Sequence, residues 1–221
     1  MSNLPPPVPV IEFNLASRGI SKGLAQTKGP QFVVRGELPT GSVYLGGYWK
    51  DVTSTTSGGE AGATIGVRTK RSGWNLAASA TLKIATSPAA GSDDKALELA
   101  GAVSRKFGRV TPQLAVTWSP DDLGATGRSL FVEGSASYSV LPHTTVSAAV
   151  GRRDRVGGAD YTSFNAGVTQ TLSRNVTAGR CASRHRSLDA VSARSLRAVG
   201  LLARRRIPER GRHADHGQFD G

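Results

Sequence analysis

Between residues 8 and 172 the chain is a succession of short segments in which apolar and polar residues alternate one by one. In Trp74–Ile84, one set is Trp74, Leu76, Ala78, Ala80, Leu82 and Ile84; the interleaved set is Asn75, Ala77, Ser79, Thr81 and Lys83. A period of two sends successive side chains to opposite faces of a strand, so each segment has one apolar and one polar face. The pattern recurs with Val43, Leu45 and Trp49 against Tyr44, Tyr48 and Lys50, and with Ile65 and Val67 against Thr64 and Arg68. Val116 and Trp118 oppose Ala115 and Thr117, and Val132 and Tyr138 stand among Glu133, Ser135 and Ser137. Ten such runs are read, near 8–18, 30–38, 42–51, 60–70, 74–85, 95–107, 109–118, 128–140, 143–153 and 160–172. An eleventh begins at Asn175 and loses the pattern soon afterwards.

The connections alternate as well. They are long at 19–29, 52–59, 86–94, 119–127 and 154–159, and short at 39–41, 71–73, 108, 141–142 and 173–174. Loops on one rim and tight turns on the other are what an antiparallel meander produces. Ten-residue amphipathic strands with that asymmetry predict an all-β fold, an up-and-down transmembrane β-barrel. Ten to eleven strands would be present of about twelve. A soluble sandwich or lipocalin-like barrel would turn its bulky apolar residues inward. Here the apolar faces are rich in Ala, Gly and Val, with Trp49, Trp74, Trp118 and Tyr138 near strand ends, which suits lipid contact and an interfacial aromatic girdle.

On this reading the polar faces line a lumen and carry Glu12, Glu37, Lys83 and Glu98 besides the residues expected to matter most. Those are Arg18, Arg35, Lys50, Glu60, Arg68 and Glu133. Both signs are present, which predicts a watery, weakly selective interior.

Composition removes several alternatives. No stretch approaches the roughly 20 apolar residues of a membrane helix. One Cys excludes a disulfide framework and a Cys-rich zinc site. His143, in a short turn, has no ligand or base partner at useful spacing, and Ser147 near it lacks the third group a nucleophile needs. Asp93-Asp94 and Asp121-Asp122 read as solvated loop acids. No enzymatic activity and no cofactor are expected. The net charge of +12 is unevenly spread: residues 179–221 hold ten Arg, no Lys and four acids. Arg204-Arg205-Arg206 has no interleaved aromatic platform, which argues against nucleic acid as partner. The expected organisation is a Pro-rich segment at 1–7, a barrel at 8–178, and an Arg-rich tail at 179–221 that is disordered or translated out of frame. Met1–Val10 has neither the basic nor the apolar region of a signal peptide.

Two phrases carry a family resemblance. Phe13–Lys28 reads FNLASRGISKGLAQTK, and Val150–Gly167 reads VGRRDRVGGADYTSFNAG. Ser17-Arg18-Gly19-Ile20-Ser21 in the first, and Gly151-Arg152-Arg153-Asp154 with Asp160-Tyr161-Thr162 in the second, resemble phrases of the TorF family of porins. The resemblance covers roughly residues 10–178. It implies a proteobacterial outer-membrane barrel among outer-membrane lipid and lipopolysaccharide, passing small polar solutes by passive diffusion. It also implies an export signal and a closing strand that ends in an aromatic residue, read by the barrel-assembly machinery. The chain departs from the last two: no signal is read at its start, and it ends in Gly221. Ser183–Ser187, read one nucleotide on, can spell a phrase similar to the family's penultimate strand. The alternatives are a structural or surface-binding barrel without transport, or a truncated, frame-shifted product without function.

Overall fold

A computed structural model describes residues 9–53, 57–88, 90–124, 126–173 and 176–187. The chain begins with β1 (Val10–Ala16), two short strands β2 (Ile20–Ser21) and β3 (Leu24–Ala25), then β4 (Gln31–Thr40) and β5 (Val43–Asp51). It continues with β6 (Gly59–Arg71), β7 (Trp74–Thr86), β8 (Lys95–Arg105) and β9 (Val110–Ser119). The last four are β10 (Ser129–Leu141), β11 (Thr144–Arg155), β12 (Tyr161–Ser173) and β13 (Val176–Ser187). β2 and β3 pair only with each other. The other eleven form one antiparallel sheet in which every strand except the end members β1 and β13 lies between its neighbours in that order. This is the up-and-down meander expected, and each of the ten runs corresponds to one strand. No helix among the described residues is long and apolar enough to cross a membrane.

The turns follow from local chemistry. Ser72 and Gly73, with φ of 50° and 81°, form a two-residue turn in which both residues are left-handed. That is the type I′ geometry matching the twist of the strands it joins. Pro112 lies inside β9 yet breaks nothing essential. The β8–β9 ladder stops at Ser104–Gln113, beside the residue with no N–H to give, and resumes only at the Phe107–Val110 bridge.

The sheet curls with its polar side inward, and the β2–β3 hairpin shows it. Gln26 Oε1, just after β3, accepts a hydrogen bond of 2.9 Å from Lys50 Nζ of β5, and Gly23 O accepts one of 3.5 Å from Ser183 Oγ of β13. Across a flat sheet at about 4.8 Å per strand, eight spacings would separate β5 from β13 by roughly 38 Å. Gly23 and Gln26 are three residues apart, at most about 11 Å. Only a sheet wrapped around the hairpin lets both contacts form.

The other face is apolar and open. Leu45 (51%), Ile65 (55%) and Leu82 (48%) are exposed, together with Leu76, Leu99, Leu114, Val132 and Phe164. The buried apolar residues among those described are only Val52, Ala85, Ala96, Phe131 and Tyr161. A continuous exposed apolar belt around a polar interior inverts the arrangement of a water-soluble domain.

The eleventh strand departs from the sequence reading. The expected barrel boundary is Ala178, but β13 runs on from Val176 to Ser187 and stays in one register with β12 from Thr177 to Ser187. Backbone hydrogen bonds extend a ladder whatever the side chains are, whereas the expectation followed side-chain polarity, and polarity does fail here. Arg180 and Arg184 pair with Val168 and Phe164, both outward and exposed. Arginine on the lipid side of a strand costs about 2–4 kcal/mol at mid-depth. Arg180→Val and Arg184→Leu are therefore each expected to raise the urea midpoint of the protein in lipid vesicles. An unchanged midpoint would place this strand away from lipid. Most of the expected Arg-rich tail, from residue 188 on, lies outside the described residues, as does the Pro-rich segment 1–7.

Candidate functional site

The long connection after β1 folds back as a small hairpin, and the charged residues of the sheet gather around it. Its tip is Lys22-Gly23, both left-handed at φ 50° and 80°, again a two-residue turn of the I′ kind. Gly23 is required twice, because a Cβ there would lie 2.1 Å from Ser163 Cβ of β12. The base is tied by Gln26 N donating to Gly19 O at 2.8 Å and Thr53 N donating to Gln26 O at 2.9 Å. Buried Thr27 adds to it: its hydroxyl accepts from Gly19 N at 2.7 Å and donates to Gly29 O at 2.6 Å.

At the tip, Lys22 Nζ lies 2.5 Å from Glu98 Oε2 of β8. Lys83 of β7 pairs with the same carboxylate oxygen. Tyr161 Oη of β12 donates to Lys22 O at 2.8 Å. One step around the wall, Glu60 takes Tyr48 Oη at 2.5 Å and Lys50 Nζ at 3.2 Å. On the far side, Asp122 pairs with Arg153 of β11 and accepts from Ser129 Oγ at 3.0 Å. Lys50, Glu60, Lys83, Glu98 and Arg153 all stand on strand residues near the long connections, so this cluster occupies one mouth of the sheet. A cavity of about 290 Å³ remains between hairpin and wall.

Below it, toward the short turns, lies a second polar region of about 500 Å³. Arg68 forms a two-pronged pair with Glu37, at 2.7 and 2.6 Å, and its guanidinium carbon sits 3.9 Å from the Tyr44 ring centroid. Tyr44 and Tyr48 lie over Gly66 and Gly62, their partners on β6, where a Cβ would meet each ring at 2.3 Å. Glu12 and Arg35 line the same space.

The model of the Gram-negative porin family matches residues 41–180. The chain belongs to that family. A porin of this family resides in the outer membrane and works as a channel rather than by catalysis. Among solved structures, the fold is similar to that of an outer-membrane channel from Pseudomonas putida F1, with a TM-score of 0.51 at 15% identity. The likeness covers 83% of this chain and 90% of that one. No curated protein matches the chain significantly.

With this porin's fold in hand, the residues singled out from sequence can be placed. Arg35, Lys50, Glu60 and Arg68 border the two polar cavities. Glu133, half-buried on β10, faces Gly151 across the ladder, on the same side as Arg153. Arg18 does not share their placement. β1 ends at Ala16, and Arg18 is exposed in the loop, its Nε donating to Thr27 O at 3.3 Å. Trp49 and Trp118 are exposed next to long connections, and Trp74 and Tyr138 next to short ones, so aromatics stand at both rims. Asp122 corrects an expectation: it is buried in the mouth, not a solvated loop acid. Lys22 and the hairpin were missed altogether. The available signal was Ser-Lys-Gly-Leu, a Gly in the second position of a two-residue turn.

Burial pushes the Lys22 ammonium below its ordinary range, Lys83 adds to the effect, and Glu98 opposes it. Burial alone would raise the Asp122 carboxyl, but Lys22, Lys83 and Arg153 more than offset it and hold it low. A depressed carboxyl contributes stability that is complete above its unfolded value of about 3.9 and disappears as pH falls through the lower folded value. Asp122→Asn is expected to lower the denaturation midpoint at pH 7 and to leave a shallower acid decline below about pH 4 than the parent shows. Parallel pH profiles for the two would contradict this.

Proposed function

We propose that this porin is a narrow diffusion channel for small polar solutes, constricted at its long-loop mouth by the β2–β3 hairpin, and that it belongs with the TorF porins. The observation that carries the reading is a meeting of two distant phrases. Ser17–Ser21 with Lys22-Gly23 builds the hairpin; Gly151–Asp154 with Asp160–Thr162 builds its seat. Tyr161 holds Lys22 O, Ser163 receives Gly23, and Arg153 holds Asp122. The two stretches that resemble TorF porins thus form one structural unit inside the polar face. The exposed apolar belt and the aromatics at both rims support contact with outer-membrane lipid, including lipopolysaccharide at the long-loop rim.

A barrel whose duty is structural is the second reading, favoured by how closely the hairpin fills the mouth. Liposome swelling separates the two. Reconstituted protein is expected to admit small sugars and to exclude larger ones. No swelling at any solute size, from protein shown to be folded, would remove the channel and leave the structural barrel.

A further inference from the structure

The charges of the mouth do not balance, although those of the cavity toward the short turns do. In the region toward the short turns, Arg35 and Arg68 face Glu12 and Glu37, two of each sign. In the mouth the count differs. Its three carboxylates are each already engaged. Glu98 serves both Lys22 and Lys83; Glu60 serves Lys50 and the Tyr48 hydroxyl; Asp122 serves Arg153 and the Ser129 hydroxyl. Four cations thus share three acids.

Arg155 adds a fifth cation to the same cavity; its guanidinium donates to the carbonyl of Ala159, at 2.6 and 3.1 Å, and lies 5.2 Å from the centroid of the Tyr161 ring. Arg153 keeps a buried Nε–H with no acceptor, a donor left over after its pairing with Asp122. The cavity these groups border is the tighter of the two polar spaces. A solute passing it loses part of its water and meets surplus N–H donors with no free carboxylate.

From this we infer that the mouth selects anions: small inorganic anions and small organic carboxylates or phosphates pass in preference to cations of equal size. The inference rests on the channel reading and names its solute class. The balanced charges of the cavity toward the short turns give no barrier of opposite sign there to cancel the preference. Lys22 is the residue through which it acts most directly. It is the one charged side chain at the hairpin tip, and it brings the second cation onto a carboxylate that Lys83 alone would neutralise. A ring of cations in a narrow passage raises the local concentration of counter-ions by about tenfold or more.

The test is the reversal potential of the full-length protein in planar bilayers under a potassium chloride gradient. Chloride is expected to permeate over potassium by about tenfold. Lys22→Gln and Arg155→Gln should each bring the ratio toward unity, and Lys22→Arg should retain it. Lys22 lies outside the eleven-stranded ladder and Arg155 pairs with Ser129 through its backbone, so both side-chain changes keep the ladder's hydrogen bonds, and heat-modifiable migration in gels reports that the barrel has formed. Potassium permeating as well as or better than chloride would overturn the inference while leaving the channel intact. So would a ratio unmoved by both neutralising variants. No current from folded protein would remove the channel reading, and the anion preference with it.

Discussion

Replacing Gly23 with valine is expected to open the channel. The hairpin tip needs a left-handed residue at this position, which costs a β-branched side chain about 1–2 kcal/mol. Even if the turn paid that strain, the new Cβ would stand 2.1 Å from Ser163 Cβ, on a strand the hairpin cannot push aside. The β-ladder makes no use of Gly23, so the barrel should assemble as before while the hairpin loses its seat. Lys22 then leaves Glu98, and Gln26 leaves Lys50. Single-channel conductance should rise several-fold, and the size limit for sugars should move up. A paired change checks the cause: Gly23→Ala with Ser163→Gly removes the opposing side chain and should restore conductance toward the parent value. Parent conductance in Gly23→Val would mean that the hairpin does not obstruct the passage.

The largest stability loss is expected at Glu98. Its carboxylate lies between Lys22 and Lys83, and all three side chains are more than four-fifths buried. Neutralising it in Glu98→Gln leaves two ammonium groups facing each other without the carboxylate that pairs directly with both. Removing one partner from a buried ionic cluster costs about 3–5 kcal/mol. The lower end, about 3 kcal/mol, suits a lumen that water reaches in part. The urea midpoint in lipid vesicles should fall accordingly. Lys83→Met on the same background removes one of the stranded charges and should recover about half of the loss. If the double variant is no more stable than Glu98→Gln alone, the cost is not electrostatic.

The elements legible in the sequence are those governed by one dominant rule. Where strands face lipid on one side and a polar interior on the other, every second residue reports the face. Trp74–Ile84 can be assigned residue by residue, and from Leu76 to Ile84 the exposure along β7 alternates with it except at Ala80. The alternation of long and short connections likewise follows from the meander alone. The hairpin was not legible in that way. Ile20-Ser21 and Leu24-Ala25 are too short to show a period, and what holds them is contact with β5, β8, β12 and β13, which no local pattern encodes. The alternation read along the sequence carries the first strand on to Arg18. In the structure β1 ends at Ala16 and the chain bends at Ser17 and Arg18, bringing Gly19 so close to the Gln31 side chain that a Cβ there would collide with it. Asp122 was unreadable for a similar reason: its partner Arg153 is 31 residues away and meets it only once β10 and β11 are in register. At β13 the opposite happened. Polarity announced an end that the backbone did not obey.

On the channel reading, the polar face of the sheet lines a water-filled passage and the apolar face meets lipid. Single cysteines along β7, in a Cys181→Ser background, test it most directly. Each variant would be reconstituted in planar bilayers and exposed to a charged, water-soluble thiol reagent while current is recorded. Reaction at Ser79→Cys and Thr81→Cys, which border the inner cavity, is expected to reduce the current, and reaction at Ala80→Cys and Leu82→Cys to leave it unchanged. Block at Ala80 and Leu82, or no alternation along the strand, would contradict it.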